Sequence, residues 1–304
     1  MRARCGAFRY CPDPLGIVTA TQLDKLEFDE VYWMKYMTFN SSCSYAGIAN
    51  MLEQYGIDTD DKAIALAMNL PYLFFYSDGV YLSGPMLQTA EWFDLYLNPI
   101  GYQLIEKAVS ADGIDEYLKT QKTAMLGISL GEKGKHTVVY TGIDSNSFVF
   151  LNNKWENEDS PSEIRLTKEE LQKRIEPKVM IATLQQIPPK SINFTPKFHS
   201  SISVLRENME EIINMCDTEE TVANLRSKLN TLFRPLFLDG ITMLNLIGET
   251  ALAREFTNLQ QALLCALRQE PQQKVALKEY LPIPELQMAV EAYIQLIINA
   301  MNQY

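Results

Sequence analysis

Histidine is nearly absent from this chain, with two residues among 304. The five cysteines, Cys5, Cys11, Cys43, Cys216 and Cys265, show neither CxxC nor CxH spacing, so no zinc site is indicated. Their odd number excludes a complete disulfide framework. Cys5 and Cys11 could pair only in an oxidising setting, and a reducing cytoplasm is the expected location. Positive charge is also short: 27 Lys and Arg stand against 38 Asp and Glu, for a net charge of −11 and a pI near 4.8. Nucleic acid and anionic membrane are bound by cationic surfaces, so neither is expected as a partner. No apolar run reaches transmembrane length, and the stretch from Cys5 to Asp13 breaks any apolar core of a signal peptide. The acidic pairs Asp60-Asp61, Glu169-Glu170 and Glu210-Glu211 lack metal-ligand spacing. No metal or cofactor is therefore expected.

What remains is a chain with 47% apolar residues, enough for one large core or two modest ones. Asn40-Ser41-Ser42 offers cap chemistry before Ala46, Ile48, Ala49, Met51, Leu52 and Tyr55, with a stop at Gly56, which predicts a three-turn helix with Cys43 in its first turn. Thr59-Asp60-Asp61 caps a second helix through Leu70, and Pro85 opens one to about Leu97. A short helix is expected from Ile114 to Gln121. After Lys122 the period changes. Thr123–Leu130, His136–Ile143, Phe148–Leu151 and Val179–Leu184 have strand length and composition, and predict an antiparallel meander. Thr167 and Glu170 form a capping box for a helix to about Ile175. Beyond Pro188-Pro189 the spacing is helical throughout, as in Leu286, Val290, Tyr293 and Ile297. The fold class expected is α+β, with residues 1–187 as one domain and residues 190–304 as an all-α domain of four or five helices. The two are expected to have separate cores.

The chemistry concentrates on Cys43, His136 and an asparagine pair. An ordinary cysteine, with a pKa of about 8.5, is mostly protonated at neutral pH and must become thiolate to attack. A helix N-terminus supplies partial positive charge and free amides that favour the anion. An imidazole that takes the proton, and a group that fixes the ring, complete a nucleophile. If Asp144-Ser145 is a two-residue turn, Asn153 lies opposite His136; a turn one residue longer brings Asn152 there instead. His199, at a helix start, reads as a solvated or capping residue. Cys216 and Cys265 read as core. The aromatic run Tyr72, Phe74, Phe75, Tyr76 and Tyr81 reads as core more than as a cleft wall.

The stretch from Cys43 to Ile57, and His136-Thr137-Val138-Val139-Tyr140 leading to Asn152-Asn153, resemble the papain-like peptidases that include the double-glycine leader peptidases of bacteriocin export. The segment from Cys43 to Gly84 resembles still more the N-terminal domain of the butirosin-biosynthesis acyltransferase, protein H of that pathway. The resemblance spans about residues 40–185. It implies a papain-like fold and a Cys43, His136, Asn153 triad, with Asn152 as the alternative orienting residue. The leader peptidases have glycine after the cysteine and an upstream glutamine as oxyanion donor, where this chain has Ser44 and Met37. Asn40 or Thr38 is the substitute donor expected beside the Cys43 amide. Their orienting carboxylate is an asparagine here, as in papain. No exporter domain follows, so a peptidase fused to a transporter is not expected.

These readings together predict a cysteine-dependent acyl transfer through a thioester. The acceptor is an amine or alcohol of small-molecule biosynthesis, or water in a peptidase or amidase. A silent binding scaffold is the contrasting class. The partners expected are a small-molecule or peptide substrate, a carrier-bound acyl thioester among the options, and a second copy of the chain through the helical domain.

Overall fold

The computed structural model describes residues 34–131 and 134–303. Cys5 and Cys11, and the stretch weighed as a signal peptide, lie outside them.

Helix α1 (Cys43–Glu53) begins after Ser42, whose hydroxyl bonds Phe39 and Asp61 rather than capping the helix. Helix α2 (Asp61–Ala67) is capped by Asp60, whose carboxylate accepts from the Ala63 amide at 2.7 Å. A hairpin, β1 (Phe74–Ser77) with β2 (Val80–Ser83), and α3 (Ala90–Leu97) lead to the main sheet. That sheet comprises β3 (Tyr102–Ser110), β4 (Ala124–Ser129), β5 (Lys135–Asp144), β6 (Ser147–Asn152), β7 (Glu163–Leu166) and β8 (Lys178–Gln186). Its order is β3-β8-β4-β5-β6-β7, and every pairing is antiparallel. Two short helices, α4 (Ile114–Lys119) and α5 (Lys168–Arg174), interrupt it, and α5 carries the capping box expected from Thr167 and Glu170. Strands β3 and β7 escaped the sequence reading. β3 carries Glu106 and Lys107 at its middle, and β7 has only four residues.

The C-terminal part contains α6 (Thr195–Cys216), α7 (Val222–Ser227), two consecutive π-helical segments (Leu229–Phe233 and Pro235–Gly240), α8 (Ile241–Leu246), α9 (Thr250–Leu267) and α10 (Ile283–Met301). A two-stranded ladder ties β9 (Glu219–Thr221), after α6, to β10 (Lys274–Ala276), before α10. The architecture is thus an α+β papain-like domain followed by helices.

The expectation of separate cores on either side of Pro188-Pro189 is not met. One buried cluster runs from Tyr45 and Ile48 of α1 through Phe74 to Phe198, Phe256 and Tyr293. The reason is the aromatic hairpin, whose Phe74 is covered by the helical region. Phe74 packs edge-on against Tyr293 at 5.2 Å, Tyr72 against Phe198 at 6.0 Å, and the Tyr293 hydroxyl donates to the Pro71 carbonyl at 2.8 Å. Phe74 and Tyr81 are therefore core, as read, with Tyr72 and Phe75 packed at its edge, whereas Tyr76 is exposed.

Candidate active site

Cys43 is the first residue of α1 and is partly exposed, so its amide and those of Ser44 and Tyr45 have no intrahelical acceptor. The first helical bond runs from Ala46 to the Ser42 carbonyl. The loop before it is tied from behind. Buried Asp61 accepts from the Thr38 amide at 2.6 Å, the Thr38 hydroxyl at 2.7 Å and the Ser42 hydroxyl at 3.2 Å. Burial raises the Asp61 carboxyl above its ordinary range, and these three donors pull it part of the way back.

One turn into α1, Gly47 makes room for an asparagine. A Cβ there would lie 2.8 Å from Asn153 Nδ2 and 2.5 Å from the Met125 sulfur. Asn153 is fully buried, and its Oδ1 accepts from Asn50 Nδ2 at 3.0 Å. Asn50 in turn clasps Lys35, accepting from its amide at 2.8 Å and donating to its carbonyl at 3.0 Å. Gly47 and Asn50 were not singled out from sequence. An isolated glycine inside an otherwise regular helix was the available signal, since it usually marks a close approach.

The hairpin register differs from the one expected. The turn is Ser145-Asn146, both with positive φ, and pairs Asp144 with Ser147. A bulge between Tyr140 and Gly142 then shifts the ladder, so Val138 faces Asn152. Neither asparagine is paired with His136. Asn152 turns away, its amide donating to the Pro161 carbonyl at 2.8 Å and the Ser160 hydroxyl at 3.3 Å. Asn153 is the one that meets α1.

His136 pairs with Ile128 near the start of β5. Strand alternation sets it on the side of Val138 and Tyr140, whereas α1 packs on the Met125 and Val139 side. Its ring is half-buried, and Nε2 is closed off from solvent with no hydrogen-bond partner among the described residues. Asn153 Nδ2 and Asn152 Oδ1 are likewise buried and unpaired. Native proteins pair nearly all such atoms, so three orphans at one hairpin end set this region apart.

Of the two expected oxyanion donors, Thr38 has both its amide and its hydroxyl committed to Asp61, and Asn40 is exposed. His199 is exposed on α6. Cys216 is buried, its thiol pushed up to about 12 by burial first and by Asp217 second. Cys265 is exposed rather than core, because α9 turns that position to solvent. Among the described residues no cluster of His, Cys, Asp or Glu could hold a metal ion, and no helix is long and apolar enough to cross a membrane.

The α+β papain-like scaffold and its family match place the chain in the papain-like cysteine peptidase or hydrolase class. The chain belongs to the Peptidase_C39 like family, whose model matches residues 21–178. Among solved structures, it is similar to the peptidase domain of Streptococcus ComA, a bi-functional ABC transporter involved in a quorum-sensing pathway. The identity is 14% and the TM-score 0.36, over 50% of this chain and 98% of that one. No curated protein matches the chain.

Proposed function

We propose that the protein forms a thioester acyl-enzyme on Cys43 and passes the acyl group to an amine or alcohol in small-molecule biosynthesis, with water as the competing acceptor. The observation that carries this reading is the pairing of a partly exposed Cys43 at the first position of α1 with Asn153, admitted one turn further by Gly47. In this reading His136 is the base that takes the thiol proton as sulfur attacks the acyl carbonyl, which requires its ring to reach the sulfur from the β5 face turned away from α1. The same proton then goes to the departing group as the tetrahedral intermediate collapses. The acceptor expels the Cys43 thiolate in a second attack, giving its own proton to the imidazole. Asn153 is the residue assigned to fix the ring once it reaches the sulfur, and the Cys43 amide is assigned to bond the oxyanion. Transfer is preferred over hydrolysis because the Cys43–Gly84 stretch resembles the butirosin acyltransferase.

Intact mass after incubation with short acyl thioesters tests this. A single acyl adduct on the wild type, absent from Cys43→Ala and discharged by an added amine, is the expected result. Discharge by water alone, at the same rate with and without amine, would make the enzyme a hydrolase. A second reading, a silent binding scaffold, is favoured by His136 lying on the strand side opposite α1. Failure of any thioester to acylate Cys43, together with alkylation no faster than at Cys265, would establish it.

A further inference from the structure

We infer that Arg234, contributed by the helical region, is a positioning residue for the Cys43 loop, acting through Ser41. This rests on the reading of Cys43 as nucleophile. Ser41 stands two residues before Cys43 and holds φ +63°, a left-handed conformation that costs a non-glycine residue and persists only where its surroundings enforce it. The enforcing contact comes from far along the chain. Arg234 Nη2 donates to the Ser41 hydroxyl at 3.1 Å.

Arg234 is itself held. Its Nε donates to Asp239 Oδ2 at 2.8 Å, and its Nη2 lies 3.5 Å from Asp239 Oδ1, with the carboxylate almost wholly buried. Such a fork fixes the guanidinium plane, which a lysine cannot reproduce. Arg234 sits at the junction of the two π-helical segments. Pro235 explains the widened turn, since it has no N–H to donate and its ring clashes with the carbonyl four residues earlier. Gly240 permits it, because a Cβ there would stand 2.7 Å from the Pro235 carbonyl. Carbonyls of the widened turns are bonded from outside. Asn208 donates to Leu232 at 2.9 Å, Ser83 to Pro235 at 3.0 Å, and Gln260 to Phe237. Widened turns of this kind cluster at functional sites, and here the turn delivers one side chain to the approach of Cys43.

Only Ser42 separates Ser41 from the Cys43 and Ser44 amides, so the rotation of Ser41 bears on where they point. Loss of the Arg234 contact should let the loop relax toward an ordinary φ and turn the amides away from the thiol. The test alkylates the full chain with iodoacetamide over a pH series and maps hydrogen exchange at residues 39–45. Wild type, Arg234→Gln, Arg234→Lys and Ser41→Ala are compared. The expected result is an alkylation rate at Cys43 about tenfold lower in Arg234→Gln and in Ser41→Ala. Its pH profile should move to higher pH, exchange at 39–45 should be faster, and Arg234→Lys should restore part of the rate. Ser41→Ala removes the acceptor without touching the helix, so it decides the matter if Arg234→Gln does not fold. Unchanged Cys43 rates in Ser41→Ala and in every folded Arg234 variant would overturn the inference and leave the nucleophile reading standing. Wild-type Cys43 reacting no faster than Cys265 would overturn both.

Discussion

The two faces of the six-stranded sheet carry cores of different origin. On one side, Leu126, Ile128, Val138, Tyr140, Phe150 and Ile181 pack with Leu118 of α4 and Leu171 of α5, and every member lies between Val109 and Ile181. On the other, Met125, Val139 and Ala182 meet α1, and the cluster continues to Ile297 near the chain's end. One face is built from neighbours in sequence and the other from segments more than two hundred residues apart. Cys43 and Asn153 lie on the long-range face and His136 on the local one, so the placing of the thiol depends on helices that are not part of the papain-like domain.

The sharpest way to break this comparison is truncation. A chain ending at Ile187 loses Phe198, Leu205, Phe256 and Tyr293 from the core shared with Tyr45 and Phe74, and is expected to be insoluble or to lack a cooperative thermal transition. A soluble truncated chain with a sharp transition would show the sheet and α1 to be self-sufficient. Single lesions should separate the faces. Phe198→Ala and Leu171→Ala both empty buried sites, at costs of about 3–5 and 2–5 kcal/mol in chemical denaturation. Only the first is expected to slow Cys43 alkylation under conditions where both variants stay folded. Equal slowing by Leu171→Ala would mean that the two faces are coupled through the sheet.

The same contrast explains what could be read from sequence. The meander, the capping box and α1 follow from short-range patterns: alternation in Phe148–Leu151, Thr167 three residues before Glu170, and the spacing of Ala46, Ala49 and Leu52. Cys43 at a helix start was legible for the same reason. The hairpin register was not, because Gly142 inside the strand signals a bulge without saying how the ladder shifts, and one shifted residue redirects every side chain beyond it. The boundary at Pro188-Pro189 marks a real change of period, yet period reports local geometry and not which surface covers Phe74. Arg234 was invisible for that reason too: Asp239 is a local partner five residues on, but Ser41 meets it only once the two regions have packed together.

Asp239 gives a smaller effect that probes the seam between the regions. Burial pushes its carboxyl up to about 6, with Arg234 pulling it down only partly. For a carboxyl raised in the folded state, the stabilising contribution is full below its ordinary value and is lost as pH rises through about 6. Wild type should therefore lose on the order of 2–3 kcal/mol relative to Asp239→Asn between pH 4 and 7, read from denaturation curves at each pH. A wild type that gains on the variant over this range would show that attraction to Arg234 outweighs the cost of burial.

The smallest expected change lies on the local face. Thr167 caps α5 by accepting from the Glu170 amide at 3.3 Å, while the Glu170 carboxylate accepts from the Thr167 amide at 2.8 Å. Those bonds from Thr167 lower the Glu170 carboxyl, so its contribution is present above its ordinary value and lost as pH falls through the lowered one. Thr167→Ala should lower the melting temperature by roughly 2–4 °C near neutral pH, and by less in acid. Because α5 packs through Leu171 on the sheet face away from α1, the alkylation rate of Cys43 should be unchanged. A slower rate would mean that loosening one short helix on the local face is felt at the far side of the sheet, and the division between the two cores would then not extend to the site.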